Sequence, residues 1–181
     1  MTVAVHALGR PVWNSLTGRQ SDLTFGDIRA VRLAPDYGLF AAAADGSTES
    51  LTALAALVPA KGAVATVGIA EPAPGAGIEI AAHVIWQMVC EQLADDHVAP
   101  RGIGITPLNK DDAPQMFAIA RPTQPGPFFE RTHQLGEFVG VKDAAGKLLA
   151  MAGERMKPPS FTEVSGVCND PDCRGVATLA P

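Results

Sequence analysis

The chain has 181 residues, of which 47% are hydrophobic and 18% charged, and this composition is typical of a globular protein with one domain or two small ones. A net charge of -5 argues against a nucleic-acid partner, because nucleic-acid-binding proteins usually carry a basic face. Apolar runs such as residues 39–44 and 64–70 are shorter than the ~20 residues that span a bilayer, and no leader sequence is visible, so we expect no membrane partner and a cytoplasmic location.

The first half of the chain predicts a mixture of strands and helices. Residues 28–33 and 64–69 are short runs rich in β-branched side chains with Gly or Pro nearby, which indicates strands. Between them, Ser47 or Thr48 is a candidate helix cap. Apolar residues at helical spacing follow this cap and end before Pro59: Leu51, Leu54, Leu57 and Val58. Residues 78–93 predict a strand that runs into a helical turn.

Residues 97–102 predict a connection between two units, 1–100 and 101–181, because Pro100 and Gly102 interrupt regular structure. The second unit opens with a strand over residues 103–108. Asp111 or Asp112 then caps a helix that has Pro114 in its first turn. The apolar residues of that helix available for burial are Met116, Phe117 and Ile119.

Three apolar runs at close spacing follow this helix and predict strands: residues 138–141, 147–156 and 161–168. Gly146 lies in the short turn between the first two, at a position that favours positive φ. These two strands are therefore predicted to form an antiparallel hairpin.

The three cysteines, Cys90, Cys168 and Cys173, are an odd number without a visible export signal, which favours reduced thiols. A structural zinc site needs four ligands, and no second cysteine or histidine pair lies near Cys168 and Cys173, so we expect no metal. A nucleophilic Cys168 would need a partner that lowers its pKa. No such partner can be placed, and Cys168 is interpreted as a small buried strand residue.

The order helix, hairpin, strand, then Arg-Gly resembles the GCN5-related N-acetyltransferases, the GNAT family, and within it the two-lobed FR47-like type. The motifs that carry the resemblance are PGPFF at 125–129, GEFVGV at 136–141, LAMAGERM at 149–156, FTEVSGVC at 161–168, RPVW at 10–13 and WQM at 86–88. The resemblance implies an α/β (α+β) fold with a mixed, mostly antiparallel sheet flanked by helices. A degenerate N-terminal α/β lobe would precede an incomplete catalytic lobe.

The resemblance also implies an acetyl-CoA-dependent transfer to the primary amine of a small molecule or peptide, and it assigns site residues. Glu163, in the pattern Phe-x-Glu, corresponds to the family's general base; the alternative is a solvated carboxylate at a strand edge. The pantetheine arm of acetyl-CoA would lie along the backbone of the fourth strand of the lobe, where an N–H group polarises the thioester carbonyl. The residues implied for this role are Val167, Cys168 and Asn169.

The pyrophosphate-binding turn of the family would begin at Arg174 and Gly175, where backbone N–H groups meet a phosphate. Two positions depart from the family pattern, because Ala177 replaces a glycine and Leu179 replaces a small residue. The family's next helix and its later strands have no counterpart. The tyrosine that protonates the leaving thiolate in many members is also missing, since the only tyrosine is Tyr37, in the first half of the chain.

We therefore expect a truncated cofactor site. The ending RGVATLAP follows from a typical family sequence, RGRGYAGAL, by the loss of one base, which predicts a one-base deletion or a sequencing error. An exposed fourth strand would make the second lobe unstable or prone to aggregation. The alternatives to an acetyltransferase are a non-catalytic remnant or binding module for small molecules or partners, and an unrelated α/β binding protein.

Overall fold

The computed structural model describes residues 6–68, 78–92 and 104–173. The first part contains a three-stranded antiparallel sheet in the order β1-β2-β3 and two short helices. These elements are β1 (Thr24–Gly26), β2 (Ala30–Leu33), β3 (Ala41–Ala43), α1 (Pro11–Leu16) and α2 (Thr48–Ala56). The predicted cap of α2 is confirmed, because the Ser47 hydroxyl accepts a hydrogen bond from the Ser50 amide at 3.2 Å.

The second part is a four-stranded antiparallel sheet in the order β4-β5-β6-β7, with one helix packed on it. The strands are β4 (Ile105–Leu108), β5 (Phe138–Lys142), β6 (Leu148–Glu154) and β7 (Val164–Asn169), and the helix is α3 (Ala113–Thr123). The predicted β5–β6 hairpin is confirmed, with Gly146 at a φ of +85° in its turn. Mixed α/β architecture with antiparallel sheets flanked by helices is therefore the fold, as the sequence predicted.

Helix α3 covers one face of the second sheet. Met116, Ile119 and Ala120 point at this face, at the i, i+3 and i+4 positions that share one side of a helix. Their partners on the strands are Phe138, Leu148, Met151 and Cys168. Phe117 lies on the other side of α3 and is 46% exposed, so the prediction that it is available for burial is wrong.

The largest buried cluster joins residues of both halves of the chain. Leu16, Leu33 and Phe40 pack together with Leu135 and Met156, which come from the loops that precede β5 and follow β6. The predicted connection between two units, residues 97–102, lies outside the described residues, so the division at residue 100 stays a prediction. The two halves nevertheless share a continuous apolar core over this cluster.

Two element predictions in the first half are wrong. In the run that begins at residue 64, Ala65 forms a single parallel bridge with Phe40 and no strand, because only one pair of backbone hydrogen bonds connects it to the segment around Phe40. Ile69 lies outside the described residues. Residues 78–92 form neither strand nor helix; Ile78 and Ile80 are half-buried, and the apolar side chains of residues 81–90, including Trp86, are exposed. A strand pattern without a partner strand does not form a ladder. No helix in the described segments is long and apolar enough to cross a membrane.

Candidate functional site

Strand β7 contains a bulge at Gly166. Met151 and Gly153 of β6 are two residues apart, whereas their partners on β7, Cys168 and Ser165, are three apart, so β7 carries one extra residue. Gly166 adopts a φ of +65°, a left-handed conformation that glycine enters without steric cost. A Cβ at this position would lie 3.2 Å from the Phe138 ring. The sequence therefore places a glycine where the backbone conformation favours one and where a Cβ would press against the neighbouring ring.

The outer edge of β7 presents backbone donors beyond this bulge. The Asp170 amide donates to the Leu149 carbonyl at 2.7 Å, which fixes the residue pairs that bond across the two strands. Because bonded residues alternate in an antiparallel ladder, the amides of Asn169 and Val167 face away from β6. Within the part of the chain that the structure describes, β7 pairs with β6 alone. These two amides therefore form a row of donors at an edge of the sheet.

A small cavity lies beside the bulge. Its volume is about 10 Å³, which is enough for about one water molecule. Its walls come from the loop at residues 125–128, strand β5, the bulge, and the segments that contain Thr132 and Arg155. The side chains and backbone that line it include Phe128, Thr132, Phe138, Arg155, Ser165 and Gly166.

Glu163 precedes β7 and forms a two-pronged ion pair with Arg155. The Arg155 Nε donates to Oε2 at 3.0 Å, and Nη2 donates to Oε1 at 2.5 Å. The backbones of the two segments are also bonded, since the Arg155 amide donates to the Glu163 carbonyl at 3.1 Å and the Glu163 amide donates to the Met156 carbonyl at 2.8 Å. The Glu163 side chain is 37% exposed. The carboxylate is thus both held and reachable by solvent, and its role as general base stays a prediction.

Arg155 is the residue of this site that the sequence reasoning missed. It belongs to the LAMAGERM motif, but nothing in the local pattern assigns it a partner eight positions away. Its guanidinium lies over the Phe40 ring, 4.8 Å from the centroid, and its carbonyl accepts a hydrogen bond from Gln20 at 2.7 Å. Both contacts come from the first half of the chain, so the motif alone gives no information about them.

Cys168 has a buried side chain among the apolar residues of the second sheet, and it is 7% exposed. Burial raises the pKa of its thiol, although a hydrogen bond with Thr123 opposes this effect. A thiol in this environment is a poor nucleophile at neutral pH, which agrees with its interpretation as a small buried strand residue. The predicted cofactor contact at Cys168 concerns its backbone.

The remaining predicted site residues, Arg174 and Gly175, lie outside the described residues. In the described segments no group of three or more histidine, cysteine or acidic residues is placed to hold a metal ion. The site that the structure describes therefore consists of the bulge, the outward amides of β7, the small cavity and the Arg155–Glu163 pair.

Comparison with known proteins gives a match among solved structures. No protein-family model matches the sequence, and no curated protein matches it. Among solved structures, the chain is similar to a protein from Novosphingobium aromaticivorans DSM 12444 that is assigned to the GNAT family as an acetyltransferase. The two share 39% sequence identity with a TM-score of 0.73, over 94% of this chain and 75% of the other.

Proposed function

The chain belongs to the GNAT family of acetyltransferases, and we propose that it transfers an acetyl group from acetyl-CoA to a primary amine. The donor site is proposed mainly from the bulge of β7 at Gly166, which lies beside a small cavity and next to a strand edge that pairs with no other described strand. Within the family we assign the chain to the two-lobed FR47-like type. The buried cluster shared by both halves of the chain supports this assignment.

The residues of β7 fit the donor that the family uses. The amides of Val167 and Asn169 would hold the pantetheine arm, and acetyl-CoA supplies the acetyl group as an activated thioester. A fixed amide beside the thioester oxygen stabilises negative charge that develops there, without reorganisation during the reaction. The side chain of Val167 is 61% exposed.

Glu163 is the proposed general base. Each carboxylate oxygen carries two lone pairs, and Arg155 occupies one on each oxygen. The remaining lone pairs can accept a proton from the acceptor ammonium through a water molecule, since the side chain is 37% exposed. Once the amine is neutral, its nitrogen forms the bond to the acetyl carbon while the carbon–sulfur bond breaks. The second proton lost by the nitrogen is taken up by the leaving CoA sulfur, and Glu163 returns the first proton to solvent.

The phosphates would be held by the turn that begins at Arg174 and Gly175. Ala177 and Leu179 depart from the family pattern in this turn, which has glycine at the first of these positions and glycine or alanine at the second. We therefore expect weaker binding of acetyl-CoA than a turn with the family pattern would give. The acceptor class is a small-molecule or peptide amine. Binding without turnover would instead favour a binding module.

The test combines binding with turnover. Isothermal titration calorimetry with acetyl-CoA measures donor affinity, and a thiol reagent detects CoA released in the presence of a panel of small amines and amino-terminal peptides. We expect binding, and release that depends on an amine and falls about 100-fold in Glu163→Gln. The matched control is Glu137→Gln, since Glu137 lies outside the site on the loop before β5. Absence of both binding and release would contradict the proposal.

A further inference from the structure

We propose that Arg155 is a positioning residue, which orients the Glu163 carboxylate beside the β7 bulge, and that the first half of the chain fixes Arg155 in turn. The inference rests on the proposed function, because it assigns the means by which the base is held. It gives the N-terminal half a role in the reaction, although none of the described residues of that half lines the cavity beside the bulge.

The first step is the geometry of the ion pair. Two hydrogen bonds from one planar guanidinium, Nε to Oε2 at 3.0 Å and Nη2 to Oε1 at 2.5 Å, fix both the position and the rotation of the carboxylate. A single bond from an ammonium group would fix the distance alone. Arg155 lines the same cavity as Ser165 and Gly166. Its two-pronged contact with Glu163, which we call the fork, therefore lies beside the bulge.

The second step is the orientation of the guanidinium itself. Its central carbon lies 4.8 Å from the centroid of the Phe40 ring, within the range of a cation–π contact. Phe40 is 7% exposed and belongs to the cluster that joins the two halves of the chain. A ring with this much packing does not rotate freely, and it therefore restricts the plane in which the fork can lie.

The third step is the backbone of Arg155. Gln20 is 2% exposed, and two of the three hydrogen bonds of its side-chain amide go to this segment. Its Nε2 donates to the carbonyls of Arg155 at 2.7 Å and Leu135 at 3.0 Å, and its Oε1 accepts from the Lys157 amide at 3.2 Å. Because a buried amide with three satisfied bonds is costly to move, the segment from Arg155 to Lys157 is anchored to the first half of the chain.

The test is a double-mutant cycle on the full chain, with Arg155→Lys, Glu163→Gln and the double variant. Arg155→Lys keeps the positive charge but removes the fork, and we expect kcat to fall about tenfold with an unchanged KM for acetyl-CoA. In the Glu163→Gln background the same change should have almost no further effect on kcat, since the two residues act as a unit. The matched control is Arg131→Lys, because Arg131 also stacks on a ring of the first half, that of Tyr37 at 4.5 Å, but it does not pair with Glu163.

A second readout does not depend on activity. The Arg155 Nε–H signal in a ¹H–¹⁵N spectrum, identified by its loss in Arg155→Lys, should exchange slowly with water in the wild type. It should exchange faster in Glu163→Gln and in Phe40→Leu, which keeps an apolar side chain but removes the ring.

The outcomes separate the two proposals. A wild type that transfers no acetyl group contradicts the proposed function, and the exchange rate of Arg155 then still decides the positioning. Additive losses of kcat in the cycle, or an Arg155 Nε–H that exchanges as fast as that of the exposed Arg29, would overturn the inference. A fall in kcat that is equal for Arg131→Lys and Arg155→Lys would overturn it as well.

Discussion

The ring of Phe138 on β5 occupies the space that a side chain on Gly153 of β6 would need. The two residues are register partners across the strands, and an added Cβ would overlap the atoms of the ring. Phe138 is 5% exposed and also meets Phe128 edge-on, with ring centroids 6.0 Å apart. The ring is therefore held from two sides and has little freedom to move away.

We expect Gly153→Ala to lower the free energy of unfolding by about 1 to 3 kcal/mol, because the overlap forces Phe138 off its rotamer. Urea unfolding followed by circular dichroism measures the change. Gly46→Ala is the control, since a Cβ there would meet open space, and it should stay within about 0.5 kcal/mol of the wild type. Equal effects of the two substitutions would contradict the packing explanation.

A second prediction concerns acid stability and Asp112, which is 5% exposed at the start of α3. The Lys142 ammonium, 2.5 Å from Oδ1, and then the Asn109 amide, 2.9 Å from Oδ2, lower the pKa of this carboxyl. A carboxyl whose pKa is lower in the folded state stabilises the fold above its unfolded pKa of about 3.9, and this stabilisation is lost as the pH falls through the folded pKa.

Asp112→Asn should therefore lower the free energy of unfolding at pH 7 by about 1 to 3 kcal/mol, the usual range for a bond to a charged group. It should also flatten the loss of stability below about pH 4. Urea unfolding between pH 3 and pH 7 measures both. Asp111→Asn, at an exposed neighbouring position, is the control. If the pH dependence of Asp112→Asn matches that of the wild type, the Lys142 contact does not have this role.

The sequence predicted the elements of the second half well because their signals are local. Pro114 in the first turn of α3 and Gly146 in the hairpin turn act on their own backbone and need no distant partner. The bulge was harder to predict from the sequence. A glycine inside a strand indicates a bulge or a close approach, and only the register with β6 decides between them at Gly166.

The contacts that hold Arg155 could not be predicted, because they join distant positions. Gln20 and Arg155 are separated by 135 positions, and the hydrogen bond between them depends on how the two halves pack. Likewise, no pattern near residue 84 indicates whether a partner strand is available, and residues 78–92 form no strand. Periodicity reports which side chains suit a strand, whereas pairing depends on the rest of the molecule.

A third prediction concerns the thiols. Cys90 is exposed, Cys173 is half-buried and Cys168 is buried with a raised thiol pKa. Iodoacetamide at pH 7.5 should therefore modify Cys90 first and leave Cys168 unmodified until the chain unfolds. Peptide mass spectrometry of time points, with and without urea, measures the order. Rapid modification of Cys168 in the native chain would show that β7 opens readily or that its environment lowers the thiol pKa.

The last prediction tests the bulge. Gly166→Ala places a side chain at a φ of +65°, which costs about 1 to 2 kcal/mol and favours a β7 without the bulge. Gly146→Ala places one at a φ of +85° in the β5–β6 turn, where a Cβ would meet open space. The two variants carry a similar backbone cost, but Gly166→Ala also brings a Cβ to 3.2 Å from the Phe138 ring, so we expect a somewhat larger loss of thermal stability for Gly166→Ala.

Only Gly166→Ala should weaken the binding of acetyl-CoA, because only this change moves the outward amides of Val167 and Asn169. Calorimetric titration of both variants, at a temperature where each is folded, separates the effect on binding from the effect on stability. Equal affinities for acetyl-CoA in the two variants would mean that the donor does not bind along β7, since a bulge that holds the donor cannot be removed without a change in affinity.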